Sequence, residues 1–181
     1  MDREAFEGQI IEIQSAADVK ACVEYLSRFE IIGFDTETRP SFQKGKRNVI
    51  ALIQLAVEDR CFLFRLNKIG FPAALIRLLS NPHPLKIGLS LRDDFSSMAR
   101  KKRFTPHGFI DLQKLAREHG IEEQSLQKIY AILFQKKITK NQRLSNWEAE
   151  ALTLPQKHYA ALDAWACLKI YEKLCPTKKC I

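Results

Sequence analysis

Two carboxylates follow an apolar stretch early in the sequence, where acidic side chains are costly to bury. Residues 31–34, "IIGF", read as a buried strand, and Asp35 and Glu37 come directly after it. Because side chains alternate between the faces of a strand, both carboxylates point the same way, roughly 6.5–7 Å apart along the chain. Like charges on one face repel unless a cation lies between them, and clustered carboxylates suit Mg²⁺ or Mn²⁺. D-x-E is also a common tripeptide, however, and taken alone it favours a strand end that faces solvent.

Three more acids lie at positions of interest further along the chain. Asp93 and Asp94 follow an apolar strand and begin a helix, where the helix dipole stabilises acids whatever the function. Asp163 lies inside the apolar run "YAALDAWA" (159–166), and an acid buried there needs a partner, for which a metal ion is one candidate. Tyr159 lies four residues earlier on the same helix face, roughly 5–6 Å away at Cβ. Asp163 is therefore the hardest of these acids to explain by structure alone.

The elements that must position these residues are read from hydrophobic periodicity. Strands are predicted at 9–13, 30–37, 49–57, 61–66, 85–90 and 109–111. Helices are predicted at 16–29, 72–80, 92–102, 112–118, 125–134 and 155–174. The short polar turn 58–60 predicts a hairpin between the third and fourth strands. Strands come first as a meander and then alternate with helices, which predicts an α/β fold with a mixed sheet.

The balance of charge indicates the kind of partner. The chain carries a formal net charge of +8, concentrated in "RKKR" (100–103) and "QKKITKNQR" (135–143). A polyanion is the natural partner, and nucleic acid is the commonest one, although charge alone is equally consistent with a solvated lysine-rich surface. The residues predicted to follow the phosphates of a single strand are Lys101, Lys102, Lys136 and Lys137.

Length and the N-terminal sequence bound the class of protein. The 181 residues fit one domain that covers 1–181. No run approaches the 18 or so apolar residues of a membrane helix, which argues against a membrane partner. The charged start "MDREAFEG" lacks the apolar region of a signal peptide, which predicts a cytoplasmic protein. No obligate protein partner is evident from the sequence.

Three stretches in a fixed order carry a family resemblance. "FDTET" (34–38), "KIGLSLRDDFSSM" (86–98) and "HYAALDAWACLKIY" (158–171) resemble the three exonuclease motifs of the DEDD superfamily. The chain is most similar to the tyrosine branch, DEDDy, which contains ribonuclease D and the Werner-type exonuclease domain. The resemblance covers about residues 10–174. It implies a ribonuclease-H-like fold and metal-dependent hydrolysis of phosphodiester bonds from single-stranded or frayed 3′ ends of DNA or RNA.

The resemblance also implies a role for each acid. Asp35 would bridge two divalent ions, Mg²⁺ or Mn²⁺, while Glu37 and Asp163 would bind the ion on the side of the attacking water. The aspartate of the second motif would bind the other ion, and Tyr159 would position the water. Two divalent cations neutralise the formal charge of four carboxylates, so the chemistry needs the whole set.

The second motif offers two neighbouring aspartates. Family members place the acid six residues after the glycine that matches Gly88 and just before a bulky position such as Phe95. This spacing favours Asp94 as the ligand, with Asp93 as the alternative.

The third motif fits two branches by count. His158 lies five residues before Asp163, as in the histidine branch of the superfamily, and Tyr159 lies four before it. On a regular helix a position four residues away lies about 40° round the axis, whereas a position five away lies about 140° round. The helix geometry therefore favours Tyr159.

The prediction is a metal-dependent 3′–5′ exonuclease, and two alternatives stay open. The first is an exoribonuclease of the ribonuclease D type that acts on structured RNA 3′ ends. The second is a non-catalytic nucleic-acid-binding module of the same fold, in which four acids and a tyrosine would be hard to explain.

Overall fold

The structure is a computed structural model that describes residues 1–176. Its strands are Gln9–Ile13 (β1), Ile31–Thr38 (β2), Ile50–Ala56 (β3), Arg60–Arg65 (β4), Leu85–Gly88 (β5) and Phe109–Asp111 (β6). Its helices are Ala16–Leu26 (α1), Leu66–Ile69 (α2), Ala73–Ser80 (α3), Leu91–Lys101 (α4), Leu112–Glu118 (α5), Leu126–Phe134 (α6) and Leu154–Leu174 (α7). Each predicted strand and helix is present, with ends that differ by a few residues. Helix α2 was not predicted, because four residues are too few to show a period.

The six strands form one mixed sheet in the order β1-β4-β3-β2-β5-β6. Strands β2, β3 and β4 are antiparallel neighbours, and the predicted hairpin joins β3 to β4. Strand β1 pairs in parallel with β4, while β5 and β6 continue the sheet in parallel on the other side of β2. The predicted α/β fold with a mixed sheet flanked by helices is confirmed.

Two hydrophobic cores cover the two faces of the sheet. Ile32 and Phe34 belong to the core that contains residues of α1, α3 and α4. The residues between and after them point to the opposite face, where α5, α6 and α7 contribute the other core. Because side chains alternate along β2, Gly33, Asp35 and Glu37 all lie on the face that α7 covers.

Helix α7 approaches β2 very closely at Gly33. A Cβ atom on Gly33 would collide with the carbonyl oxygen of Ala164, so only glycine allows this approach. The helix begins with a capping box, in which Thr153 and Gln156 satisfy each other's backbone N–H groups. The close approach brings Asp163, one residue before Ala164, against the acidic end of β2.

One carboxylate fixes the start of two helices that lie on opposite faces of the sheet. The Asp111 side chain accepts hydrogen bonds from the backbone N–H groups of Ser90 (3.3 Å) and Leu91 (2.9 Å) at the start of α4. It also accepts one from Gln113 (2.9 Å) at the start of α5. Asp94 lies in the first turn of α4, so Asp111 helps to set its position.

Within residues 1–176, none of the helices combines the length and the apolar composition needed to cross a membrane.

Candidate active site

Three of the four predicted ligands meet at the end of β2. Asp35, Glu37 and Asp163 each offer a carboxylate oxygen, and these atoms lie within 4.8 Å of one another. Glu37 is 8% exposed and Asp163 5%, so two of the three acids are buried. Strand alternation places the first two, and the close approach at Gly33 brings the third from α7. Three clustered acids on rigid elements are suited to hold a cation.

Asp94 reaches the site from the other face of the sheet. Helix α4 packs in the core opposite α7, and Thr36, which points to that side of β2, donates a hydrogen bond from its hydroxyl to Asp94 Oδ1. Asp94 is half-buried, whereas its neighbour Asp93 is exposed. The fourth acid is thus held beside the strand end without belonging to the three-carboxylate group, and the structure favours Asp94 over Asp93.

Burial and mutual repulsion raise the pKa of the acids at the strand end. The pKa of Asp35 is raised to about 8, first by burial and then by the charge of Asp163. The pKa of Glu37 is raised well above its ordinary value by burial and by Asp35. The pKa of Asp94 is raised to about 8 by burial and then by Asp35, against a smaller lowering by the Thr36 hydrogen bond. Bound cations would relieve these costs, because they offset both the lost hydration and the repulsion.

Buried polar atoms without partners lie at the cluster. Within residues 1–176, Asp163 Oδ1 has no hydrogen-bond partner. Burial raises the pKa of this carboxyl to about 7. Gln54 lies opposite Asp35 in the pairing of β2 with β3 and is fully buried. Neither polar atom of its side-chain amide has a hydrogen-bond partner within residues 1–176. Unsatisfied buried groups of this kind call for an ion or ordered water. The donor set, with only carboxylate oxygens clustered, fits a hard divalent cation such as Mg²⁺ or Mn²⁺.

Tyr159, and not His158, faces the acids. Tyr159 is 8% exposed and lines the same cleft as Asp163, while His158 is exposed one residue earlier on α7. Burial, with the charges of Asp163 and Glu37, raises the pKa of Tyr159. The hydroxyl therefore keeps its proton across the neutral range, and its hydrogen bond lowers the pKa of Asp163. The ring packs against Trp147, with ring centroids 6.0 Å apart.

The acids form one wall of a cleft of about 340 Å³. Two cationic side chains, Lys140 and Arg143, line the same cleft and come from the segment that precedes α7. The charge of Arg143 lowers the pKa of Glu37, and that of Lys140 lowers the pKa of Asp163, so both cations act on the carboxylates. The charge pattern of the sequence indicated the segment 135–143, but the lysines selected from it lie in its first half. The sequence alone does not show which half of this segment lies at the cleft, because that depends on the three-dimensional arrangement of the chain.

The four lysines predicted to bind a strand occupy different surroundings. Lys136 pairs with Glu4 at 3.0 Å, and the backbone of Lys137 bonds with that of residues 2 and 4, so this part of the segment is tied to the N-terminal region. Lys101 is half-buried near the end of α4, and Lys102 is exposed just after it. None of the four is among the described residues that line the acidic cleft.

A larger cavity, of about 780 Å³, lies at the opposite end of the sheet. Ile31 and Leu85, which begin β2 and β5, line it together with Leu168 and Tyr171 of α7. The described residues of its lining do not include any of the predicted ligands. The predicted acids Asp35, Glu37 and Asp163, the tyrosine and the two cations line the smaller cleft instead.

A ribonuclease-H-like sheet with clustered carboxylates at the end of a central strand defines a class of metal-dependent nucleases. The chain belongs to the 3′–5′ exonuclease family, which matches residues 10–178. The chain is 35% identical over 179 residues to the mouse bifunctional 3′–5′ exonuclease/ATP-dependent helicase WRN. This match covers 93% of the chain but 13% of the mouse protein. The chain is also 32% identical over 151 residues to exonuclease 3′–5′ domain-containing protein 2 of Drosophila melanogaster, covering 81% of the chain and 26% of that protein.

Solved structures confirm the fold. The EXO domain of Aedes aegypti Nibbler superposes with a TM-score of 0.83 at 25% identity, covering 99% of this chain and 93% of that one. Escherichia coli RNase D, an exoribonuclease, superposes with a TM-score of 0.82 at 24% identity, covering 94% and 44%. The predicted ribonuclease-H-like exonuclease fold and the membership in the superfamily are therefore correct.

Proposed function

We propose that this chain shortens nucleic acid strands from the 3′ end, with two divalent ions, Mg²⁺ or Mn²⁺, as cofactors. The observation that supports this most directly is the group of three carboxylates within 4.8 Å, one of which has a buried oxygen without a partner in residues 1–176. The proposed ligands are Asp35, Glu37, Asp94 and Asp163. Two such ions would supply an activated water on one side of the phosphodiester and stabilise the leaving oxygen on the other.

The residues of the chain divide the remaining work. Asp35 lies on the strand between the acids contributed by α7 and α4, which suits a ligand shared by both ions. Thr36 holds the Asp94 carboxylate beside the strand end through its hydroxyl. Tyr159 keeps its proton at neutral pH because its pKa is raised, so its hydroxyl can donate a hydrogen bond to Asp163 while its oxygen accepts a hydrogen bond from the attacking water. In this role the tyrosine orients the water and does not act as a base.

Lys140 and Arg143 are proposed to hold the strand against the acids. Both are exposed cations that line the cleft, so they can neutralise phosphate oxygens at the 3′ end. Roles for Lys101, Lys102, Lys136 and Lys137 further along the strand stay predictions. The assignment of 1–181 to one exonuclease domain and the cytoplasmic location also stay predictions.

A non-catalytic module of the same fold is disfavoured by the cost of the acids. Glu37 and Asp163 are buried together, and burial, followed by repulsion from Asp35, raises the pKa of Glu37. Burying like charges destabilises the fold unless a cation compensates, and a module that only binds phosphates has no use for them.

The test uses DNA and RNA strands labelled at the 3′ or the 5′ end. We expect no hydrolysis in chelator. After addition of Mg²⁺ or Mn²⁺, the 3′ label should be released at once as a mononucleotide, and the 5′-labelled strand should shorten step by step. Full activity in chelator, or release of the 5′ label first, would contradict the proposal.

A further inference from the structure

The loop that follows β2 exposes an aromatic ring among cations. Residues 39–48, "RPSFQKGKRN", contain four basic residues, and no acid occurs between Thr38 and Val57. Every residue from 42 to 47 is exposed, and Phe42 is 87% exposed. A large apolar ring at that exposure gains little from the core of the protein, and unlike a lone exposed leucine it lies in a loop of four cations, so its face is available to an external partner.

The loop is anchored at both ends beside the acidic cleft. The Asn48 side-chain amide donates to the carbonyl oxygens of Arg39 (2.9 Å) and Pro40 (3.3 Å), which closes the base of the loop. Arg39 pairs with Glu148 at 3.5 Å, which links the loop to the segment that carries Arg143. A hollow of about 300 Å³ lies between the anchored base and residues that include Phe42.

We propose that loop 39–48 is a stacking platform for a single nucleic acid strand, with a base on the Phe42 ring and phosphates beside the lysines. The proposal rests on the exonuclease function, because it names how the substrate of that same site is held. Phe42 is five residues from Glu37, so it lies at most roughly 17 Å from that ligand along the chain. The base on Phe42 therefore belongs to one of the nucleotides close to the 3′ end.

The charges of the loop favour a nucleic acid over a protein groove. Of the four cations, Arg39 alone makes an ion pair within residues 1–176, so Lys44, Lys46 and Arg47 stay available for phosphates. Proteins that bind single strands without reading sequence combine a cationic track with aromatic rings on which bases stack. A ring surrounded by cations suits alternating phosphates and bases better than it suits an apolar protein surface.

The first experiment measures binding of a short fluorescein-labelled single strand by anisotropy in chelator, with strand integrity checked on a gel. Phe42→Ala should weaken binding about tenfold, which corresponds to about 1.4 kcal/mol, within the range of one base stacked on an aromatic ring. Phe42→Trp should restore affinity, whereas Phe42→Leu, which is apolar without a ring, should not. Ile132→Ala is the matched control, because Ile132 is also an exposed apolar residue, at 49%, and lines neither the acidic cleft nor the hollow beside Phe42.

The second experiment places the base. Strands with 2-aminopurine at successive positions from the 3′ end should show quenching by stacking at one or two neighbouring positions, and Phe42→Ala should remove it. The slope of affinity against salt should be unchanged in Phe42→Ala. Lys44→Ala with Lys46→Ala should lower that slope by about 0.7 for each phosphate that these lysines neutralise in the wild type.

The outcomes separate this inference from the proposed function. If Phe42→Ala binds the strand as the wild type does, or if Leu restores binding as well as Trp, the stacking platform is wrong. Metal-dependent hydrolysis is measured on the wild type alone, so its failure would contradict the exonuclease proposal without changing the binding result.

Discussion

The acidic wall and the basic rim of the cleft are built in opposite ways. The acidic wall consists of Asp35 and Glu37 on the central strand and Asp163 on α7. Asp94 on α4 supports it from the other face of the sheet through its hydrogen bond with Thr36. The basic rim consists of Lys140 and Arg143, which are exposed in the segment before α7 and line the cleft. Further cations lie on the loop 39–48, which follows the acidic strand. The wall is expensive to assemble, since burial and repulsion raise the pKa of its carboxyls. The rim costs little, because its charges stay in water.

This difference suits the acidic wall to catalysis and the basic rim to substrate binding. Catalytic ligands must be held within fractions of an ångström, and rigid elements provide that precision. Binding a strand of any sequence needs charge and flat rings in approximate positions, which loops can supply. Changes in the wall should therefore affect the chemical step, and changes in the rim should affect binding.

The strongest test of the wall is the loss of its central ligand. Asp35→Ala should lower single-turnover hydrolysis at saturating Mn²⁺ by at least roughly a thousandfold, about 4 kcal/mol of barrier. Asp94→Ala should come next, and Asp93→Ala is its matched control because Asp93 is exposed. An Asp35→Ala variant with normal turnover would contradict the metal site, and a dead Asp93→Ala would move the ligand to Asp93.

A smaller loss should follow from removal of one oxygen atom beside the wall. Tyr159→Phe should slow the chemical step by at least roughly tenfold, about 1.4 kcal/mol, with strand binding nearly unchanged. His158→Ala should have little effect, since His158 is exposed. The measurement is single-turnover hydrolysis of a 3′-labelled strand by both variants. The opposite ranking of the two variants would assign the chain to the histidine branch.

The rim should respond through binding. Lys140→Ala with Arg143→Ala should raise KM by roughly tenfold and flatten the salt dependence of binding, since each neutralised phosphate contributes about 0.7 to the slope. Lys136→Ala with Lys137→Ala should do less, because Lys136 already pairs with Glu4. Equal effects of the two double variants would show that position in the cleft does not matter and that overall charge drives binding.

The smallest expected effect is on thermal stability. In chelator, the pKa of Asp35 is raised to about 8 and that of Asp163 to about 7 in the folded protein. The folded protein therefore keeps protons on both carboxyls at pH values where the unfolded chain has already released them. Stability should therefore fall as pH rises from about 5 to about 8. Each carboxyl that stays protonated over one further pH unit changes stability by about 1.4 kcal/mol. We therefore expect the melting temperature to drop by at least roughly 5 °C over this range, since about 2–4 °C corresponds to 1 kcal/mol in a domain of this size. The drop should shrink in Asp163→Asn but not in Asp93→Asn, and saturating Mn²⁺ should reverse it in the wild type.

Local patterns were sufficient to predict most of the wall. The apolar stretch before Asp35 predicted the strand and its alternation, and the run around Asp163 predicted the helix face that it shares with Tyr159. These are short-range relations, in which the period of an element decides which side chains share a face. The order of the two halves of the chain, read as a meander and then alternating elements, likewise predicted the mixed sheet.

Local patterns could not predict the direction from which Asp94 approaches the strand end, nor which basic residues of the segment 135–143 line the cleft. Asp94 arrives from the opposite face of the sheet, and its hydrogen bond joins residues 58 positions apart. Lys136 is withdrawn from the cleft by Glu4, which is 132 positions away. Such pairings depend on which strands and termini become neighbours, and no periodicity in the sequence records them.

The close approach at Gly33 has a consequence for the motions of the protein. Because α7 meets β2 with no side chain between their backbones, the two cannot slide apart by repacking, and the carboxylates can separate only if this part of the core opens. Backbone amides of residues 31–35 and 160–167 should then exchange with deuterium as slowly as the slowest in the molecule, through global unfolding alone. Amides of the loop 39–48 should exchange within the first time points. We therefore expect the protein to adapt to different strands through its loops, while the distances among Asp35, Glu37 and Asp163 stay fixed.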